Sequence, residues 1–176
     1  ALVGVWRAAG NRAVISGTGG NRPTGLVTQT WDAANSITVA KGATVTYDNI
    51  VDLEALVGES FITNAVWVFN RKMKATLLKL KDDQKRPLFE RAIEDGFVGY
   101  LLGYPVRLDQ NVKDGEAYFG DWKAGYVMNF TQPIEIDSSE AAGFMSGSVV
   151  YRGMALADGK PQGVKGALVK IVQATA

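Results

Sequence analysis

The sequence predicts an α+β fold. Short apolar runs of strand length, separated by turn chemistry, fill much of the chain, while three stretches, 1–14, 48–57 and 71–81, carry helical spacing instead. No internal repeat or low-complexity linker cuts the 176 residues. Runs of strands with a few helices among them, rather than strict alternation, give α+β architecture. The length suits one domain, or two lobes sharing a core.

The elements follow in order. Leu2, Val5, Trp6, Ala9 and Ala13 recur at helical spacing, so residues 1–14 read as a helix. No N-cap and no initiator Met precede that pattern, which gives the expectation that the chain is the C-terminal part of a longer protein. Processing to a new N-terminus is the competing reading. Residues 15–27 (ISGTGGNRPTGLV) are a glycine-rich turn in which Pro23 leads into a short apolar strand. Residues 28–46, with Ile37, Val39 and Val45 alternating, read as short strands or a surface loop. Asp48 is placed to cap a helix running to Val57, with Ile50, Leu53, Leu56 and Val57 buried and Gly58 as its stop. The continuous apolar run at 65–69 (AVWVF) fits a strand covered on both faces. Asn70 can cap a helix over 71–81, in which Met73, Leu77, Leu78 and Leu80 make an apolar stripe beside a solvated basic face. Residues 88–98 read as a short helical or irregular piece.

The stretch 101–128 organises the remainder. Pro105 pushes Tyr104 out of the helical region, so 104–108 is a strand. Residues 111–116 (NVKDGE) are a polar turn, 117–119 a second strand, Gly120-Asp121 a break, and 124–130 a third strand. Residues 133–136 (PIEI) alternate as a strand should, and Asp137, Ser138 and Ser139 read as a polar break that could cap a turn. Two further strands, 148–157 and 166–172, flank turn chemistry at 158–161 (DGKP), which predicts that they form a hairpin or pair.

Composition removes whole classes of function. The chain has no His, so no triad or imidazole acid–base pair can be built within it. It has no Cys, which removes disulfides, thiol catalysis, Fe–S clusters and thiolate zinc sites. Net charge is +1, without the basic excess of a dedicated nucleic-acid binder. No run of about 18 apolar residues could span a membrane. Carboxylate pairs at Glu90/Glu94 and Asp114/Glu116 keep a hydrolase reading in view, although such pairs are common on solvated faces. Arg12 and Arg22 beside the glycine loop keep a nucleic-acid or small-ligand binding module in view. That loop lacks the Gly-x4-Gly-Lys-Ser/Thr spacing of a phosphate loop and follows a helix rather than a strand, which favours a structural turn.

Four pieces, in this order, resemble the major capsid proteins of tailed bacteriophages: a helix end running into GTGGNRPTGLV (17–27), AVWVFNRKMKATLLKLKD (65–82), LLGYPVRL (101–108) and FGDWKAGYVM (119–128). A last strand region, VVYRGMALADG (149–159), follows. Each piece is a weak signal by itself; their order and spacing over nearly the whole chain make it specific. The resemblance implies an axial domain, with a sheet flanked by helices, and part of a peripheral domain built on a spine helix and long strands. Residues 1–25 would be the end of the spine helix and its exit, 26–135 mainly axial domain, and 136–176 a return to peripheral strands. Its motif positions are structural ones: Gly17, Gly19, Pro23, Gly25, Gly103, Pro105, Gly120 and Asp121. It implies no catalytic residue, cofactor or metal.

What the resemblance implies for function is a subunit of an icosahedral phage or prophage shell. Such a subunit would assemble into pentamers and hexamers around double-stranded DNA, in the virion, after assembly in the bacterial cytoplasm. Implied partners are copies of itself, scaffolding or portal proteins, and packaged DNA met on the inner face without sequence specificity; no membrane is implied. The family's N-terminal arm, extended loop and most of the spine helix would precede this chain. Some relatives crosslink through a Lys–Asn isopeptide bond, but no Asn occurs between Asp137 and the C-terminus, so that chemistry is not carried over. Bacterial encapsulin shells share the fold and give the alternative reading.

A shell subunit needs self-complementary surfaces rather than a pocket. Near-neutral charge limits repulsion between copies. Trp31, Trp67, Trp122 and Tyr126 offer rigid contact area, with Trp67 the one suited to the core. Residues 81–91 (KDDQKRPLFER) set both signs close together, for about 0–1 kcal/mol per surface pair. Reversing Asp82 and Asp83 to Lys is expected to weaken oligomerisation without unfolding the subunit; loss of the circular dichroism signal would refute that.

Overall fold

A computed structural model describes residues 2–40, 43–80, 89–90 and 97–174. In chain order it contains α1 (Leu2–Ser16), β1 (Ser36–Val39), α2 (Tyr47–Ala55), α3 (Glu59–Ile62), β2 (Trp67–Phe69), α4 (Arg71–Leu77), β3 (Phe89–Glu90), β4 (Gly99–Leu101), β5 (Tyr104–Leu108), β6 (Glu116–Gly120), α5 (Trp122–Gly125), β7 (Tyr126–Ser139), β8 (Val150–Pro161) and β9 (Leu168–Gln173). Seven strands form one mixed sheet in the order β1-β9-β6-β2-β5-β4-β3, and β7 and β8 form a separate two-stranded antiparallel ribbon.

The alternation of β6 explains the two layers of core. Successive side chains of a strand point to opposite faces. Ala117 and Phe119 join Trp67, Phe69, Val169 and Ile171 on one face, under Ile50, Leu53 and Val57 from α2 and its end and Met73 and Leu77 from α4. Trp67 stacks on Phe119 with centroids 4.2 Å apart. Tyr118 joins Val68 and Leu168 on the other face, against Ile15 of α1, Leu26 and Tyr126. All three residues of β2 are buried, as its unbroken apolar run predicts.

Several local readings hold and several are corrected. Asn70 caps α4, its side chain accepting from the Met73 N–H at 2.8 Å. That helix stops at Leu77, short of 81. Thr46, not Asp48, caps α2: Thr46 is extended and forms a capping box with Asn49, leaving Asp48 in the first turn, where its charge suits the helix dipole. Gly58 does not stop α2 but stands at the N-cap of α3. Between Gly120 and the third strand lies α5, whose start Asp121 caps by accepting from the Lys123 and Ala124 N–H groups. The polar break at 137–139 is absent, because Asp137, Ser138 and Ser139 pair with Arg152, Tyr151 and Val150. The DGKP turn is absent too: residues 158–161 pair with 126–129. β9 therefore does not pair with β8; it joins β1 in parallel and β6 antiparallel. Asp82, Asp83 and Glu94 lie outside the described residues.

Candidate assembly surfaces

The ribbon is rooted in the core and then leaves it. At its root the Thr24 N–H donates to Gly159 O at 2.7 Å, and the Tyr126 hydroxyl donates to Thr24 O at 2.9 Å. Burial pushes the Tyr126 phenol up, with nearby Asp158 adding to the effect, so the group stays a neutral donor. Along β8 the small residues Gly153, Ala155, Ala157 and Gly159 are the sheltered ones, whereas Arg152, Met154, Leu156, Asp158 and Lys160 are exposed. Phe130, Ile136, Tyr151, Met154 and Leu156 are all exposed large hydrophobic side chains of this ribbon. The exposed Arg152–Asp137 pair, at 2.9 Å, joins the strands but adds little stability in solvent.

The tip is built rather than loose. The 3₁₀ turn Ala141–Ser146 is closed by the Ser148 N–H donating to Gly143 O at 3.1 Å and by a hydroxyl contact between Ser146 and Ser148 at 2.7 Å. A Cβ on Gly143 would fall 1.7 Å from Ser148 O, so only glycine closes this turn. The result displays Phe144, 82 % exposed, and Met145, 98 % exposed. Large apolar side chains held out to solvent on an ordered turn are the mark of an interaction site.

A second concave surface lies where α1 meets the sheet. A groove of about 870 Å³ is lined by Asn11, Val14 and Ile15 of α1, by residues 62–66, by residues 103–105 and 107–109, and by Asp121, Trp122 and Lys123. Of the sequence-derived positions, Gly103, Pro105 and Asp121 come together here. Gly103 makes the two-residue β4–β5 turn with Leu102, both with positive φ. Gly120 does not line the groove; a Cβ there would lie 2.1 Å from Ala167 O. Gly17, Gly19, Pro23 and Gly25 form a different group, the exit turn of α1. In it the Gly25 N–H donates to Gly17 O at 2.9 Å, and Thr18 bridges Thr24.

The arrangement offers little to acid–base chemistry. Asp114 accepts from Asn70 Nδ2 and pairs with Lys72, and that Lys72 contact holds its carboxyl below the usual range, the wrong direction for a general acid. Glu116 is committed elsewhere, accepting from Lys170 Nζ at 3.0 Å and from the Tyr118 hydroxyl at 3.1 Å. Burial and Glu116 push the Tyr118 phenol far up. Among the described residues no group of three acidic side chains is placed to hold a metal ion. No helix of the described residues is long and apolar enough to cross a membrane. The side chains that the sequence reading missed are Phe144 and Met145, since AAGFMSGS carries neither helical nor strand periodicity.

A sheet with helices on it and a projecting ribbon, with no metal-ligating cluster among the described residues, are the frame of a structural protein. The model of the phage capsid family matches residues 6–172, and the chain belongs to that family. Its fold is similar to the capsid of an empty GTA particle, with TM-score 0.74, 24 % identity, and 99 % of this chain aligned to 64 % of that one. A structure of Gordonia phage Cozz gives TM-score 0.61 and 19 % identity, with 99 % of this chain on 61 % of that one. The holo-SrpI encapsulin complex from Synechococcus elongatus PCC 7942 gives 0.65 and 12 %, with 97 % of this chain on 62 % of that one. The chain thus spans less than two thirds of the length of each of these structures. Among curated proteins no significant match was found.

Proposed function

We propose that this chain is the shell-forming part of an icosahedral phage or prophage capsid subunit, assembling into pentamers and hexamers that enclose double-stranded DNA. The observation that carries it is the ribbon, which holds Phe144 and Met145 in solvent on a closed turn. Many identical copies can bury such a surface on one another, since closed symmetry needs self-complementary patches. Residues 1–25 are then the end of a spine helix and its exit, and residues 26–125 the axial domain. The ribbon at 126–161 is the peripheral piece, and β9 returns to the axial sheet. Scaffolding and portal proteins are the further partners of this reading, with assembly in the host cytoplasm and residence in the virion.

The test is negative-stain microscopy of the protein expressed from its complete gene, with nuclease treatment of whatever particles form. Uniform shells containing nuclease-protected DNA are expected. Shells with a protein cargo and no DNA would select the encapsulin-like alternative, which the similarity to the encapsulin complex supports. A protein that stays monomeric at all concentrations would overturn both.

A further inference from the structure

The charges of this chain are unevenly placed. All 18 Asp and Glu lie between Asp32 and Asp158, together with 13 of the 19 Lys and Arg; the two ends carry the other six basic residues and no acid. The fold brings those ends together. Thr24 of the exit turn donates its N–H to Gly159 O, which joins the turn that carries Arg22 to the root of the ribbon that carries Lys160. Arg12 directly precedes Ala13, whose carbonyl accepts the Gly17 N–H that ends α1.

Of the six, Lys170 is buried against Glu116. Arg7, Arg12, Arg22, Lys160 and Lys165 are exposed, and among the described residues no side-chain hydrogen bond or ion pair ties them to a partner. The acid in the immediate neighbourhood, Asp158, accepts from the Gly159 N–H at 2.7 Å. Unpaired cations at such a junction lose nothing by meeting an external anion.

We propose that the junction of α1, its exit turn and the root of the ribbon is a phosphate-backbone surface for duplex DNA, with Arg12, Arg22 and Lys160 at its centre. This rests on the shell reading and deepens it by naming which surface of the subunit is turned inward. Two of the three groups are arginines, whose planar fork pairs with phosphate oxygens in a bidentate manner. Two aromatic side chains brace this junction from within: Trp31 Nε1 donates to Leu26 O at 3.0 Å, and the Tyr126 hydroxyl donates to Thr24 O. Cations spaced along a helix end, a turn and a strand root suit the phosphates on the outside of a duplex. Phosphate contacts alone carry no sequence information.

The experiment is fluorescence anisotropy of a labelled duplex of arbitrary sequence, titrated with the wild-type protein across a salt series. Binding should weaken with salt along a log–log slope of about −3, as for three neutralised phosphates. The variant R12E/R22E/K160E, with an unchanged circular dichroism spectrum, should lose at least about tenfold in affinity. K113E, an exposed charge reversal on the β5–β6 turn, should bind as the wild type does. Equal losses in both variants, salt-independent binding, or displacement by polyglutamate as effective as by unlabelled duplex would overturn the proposal; the last would assign the surface to an acidic protein. Shells that assemble without measurable affinity for duplex would overturn it while leaving the shell reading intact. A monomer that binds through these three residues would uphold the surface and overturn the shell.

Discussion

Lys170 Nζ donates to Glu116 Oε1 at 3.0 Å across the β6–β9 ladder, with only 10 % and 11 % of the two side chains exposed. The Tyr118 hydroxyl donates to the second carboxylate oxygen at 3.1 Å, and the ammonium lies over the rings of Trp31 and Tyr118, 5.7 and 5.5 Å from their centroids. Removing one member of such a pair strands the other charge in the interior. K170M is expected to cost about 3–5 kcal/mol in urea unfolding, and the double replacement K170M/E116L to recover a large part of it. Additive losses in the double-mutant cycle would show that the two residues are not coupled.

Two glycines separate strain from crowding. Gly103 has φ +81 with nothing near its missing Cβ, so G103A should cost only the left-handed penalty, about 1–2 kcal/mol. Gly120 has φ +132, and an added Cβ would meet Ala167 O at 2.1 Å, so G120A should cost roughly 3 kcal/mol or more. Thermal unfolding of the two variants should show that order; equal shifts would mean the β6–β9 end relaxes freely.

Asp114 gives a pH dependence of known sign. Lys72 holds its folded-state pKa below the 3.8 of the unfolded chain, against a smaller opposing effect of burial. Its contribution is therefore complete above that value and disappears as the pH falls through the folded pKa. D114N should be slightly less stable at neutral pH and lose less on acidification than the wild type. Because the pair is exposed to solvent, the difference should shrink in high salt.

The tip predicts a separation of folding from assembly. F144S/M145S changes two side chains that are almost wholly in solvent, so subunit stability should move by no more than about 0.5 kcal/mol. Sedimentation should nevertheless show loss of the oligomer. An unchanged oligomer would remove the tip from the assembly surface.

Much of the sheet was legible because its signals are local. Residues 65–69 are apolar without a break, Asn70 stands where α4 needs an acceptor, and Pro105 forces the extended chain of β5. The ribbon was not legible for the opposite reason. DSS and DGKP carry turn chemistry, yet in β7 and β8 those residues continue the ladder between the two strands, and the pairing outweighs their local preference. β9 was read as a strand but given the wrong neighbour, since nothing local records that it closes against β1, more than a hundred residues away. The glycines of the exit turn could be seen, but not that Gly17 and Gly25 meet. Phe144 and Met145 gave no signal, because their importance lies in what they do not touch.

The chain departs for the ribbon and comes back at nearly one point: Tyr126 pairs with Pro161, and the Gln162 N–H donates to Gly125 O at 2.9 Å. Mechanically the ribbon is a boom with a fixed hinge. Adding two residues to each arm would carry Phe144 and Met145 outward by about 7 Å while keeping every side chain on its own face. Nothing in the seven-stranded sheet would have to move. Reach can therefore be lengthened or shortened independently of the body that anchors it, so particle geometry could diverge between close relatives with identical cores.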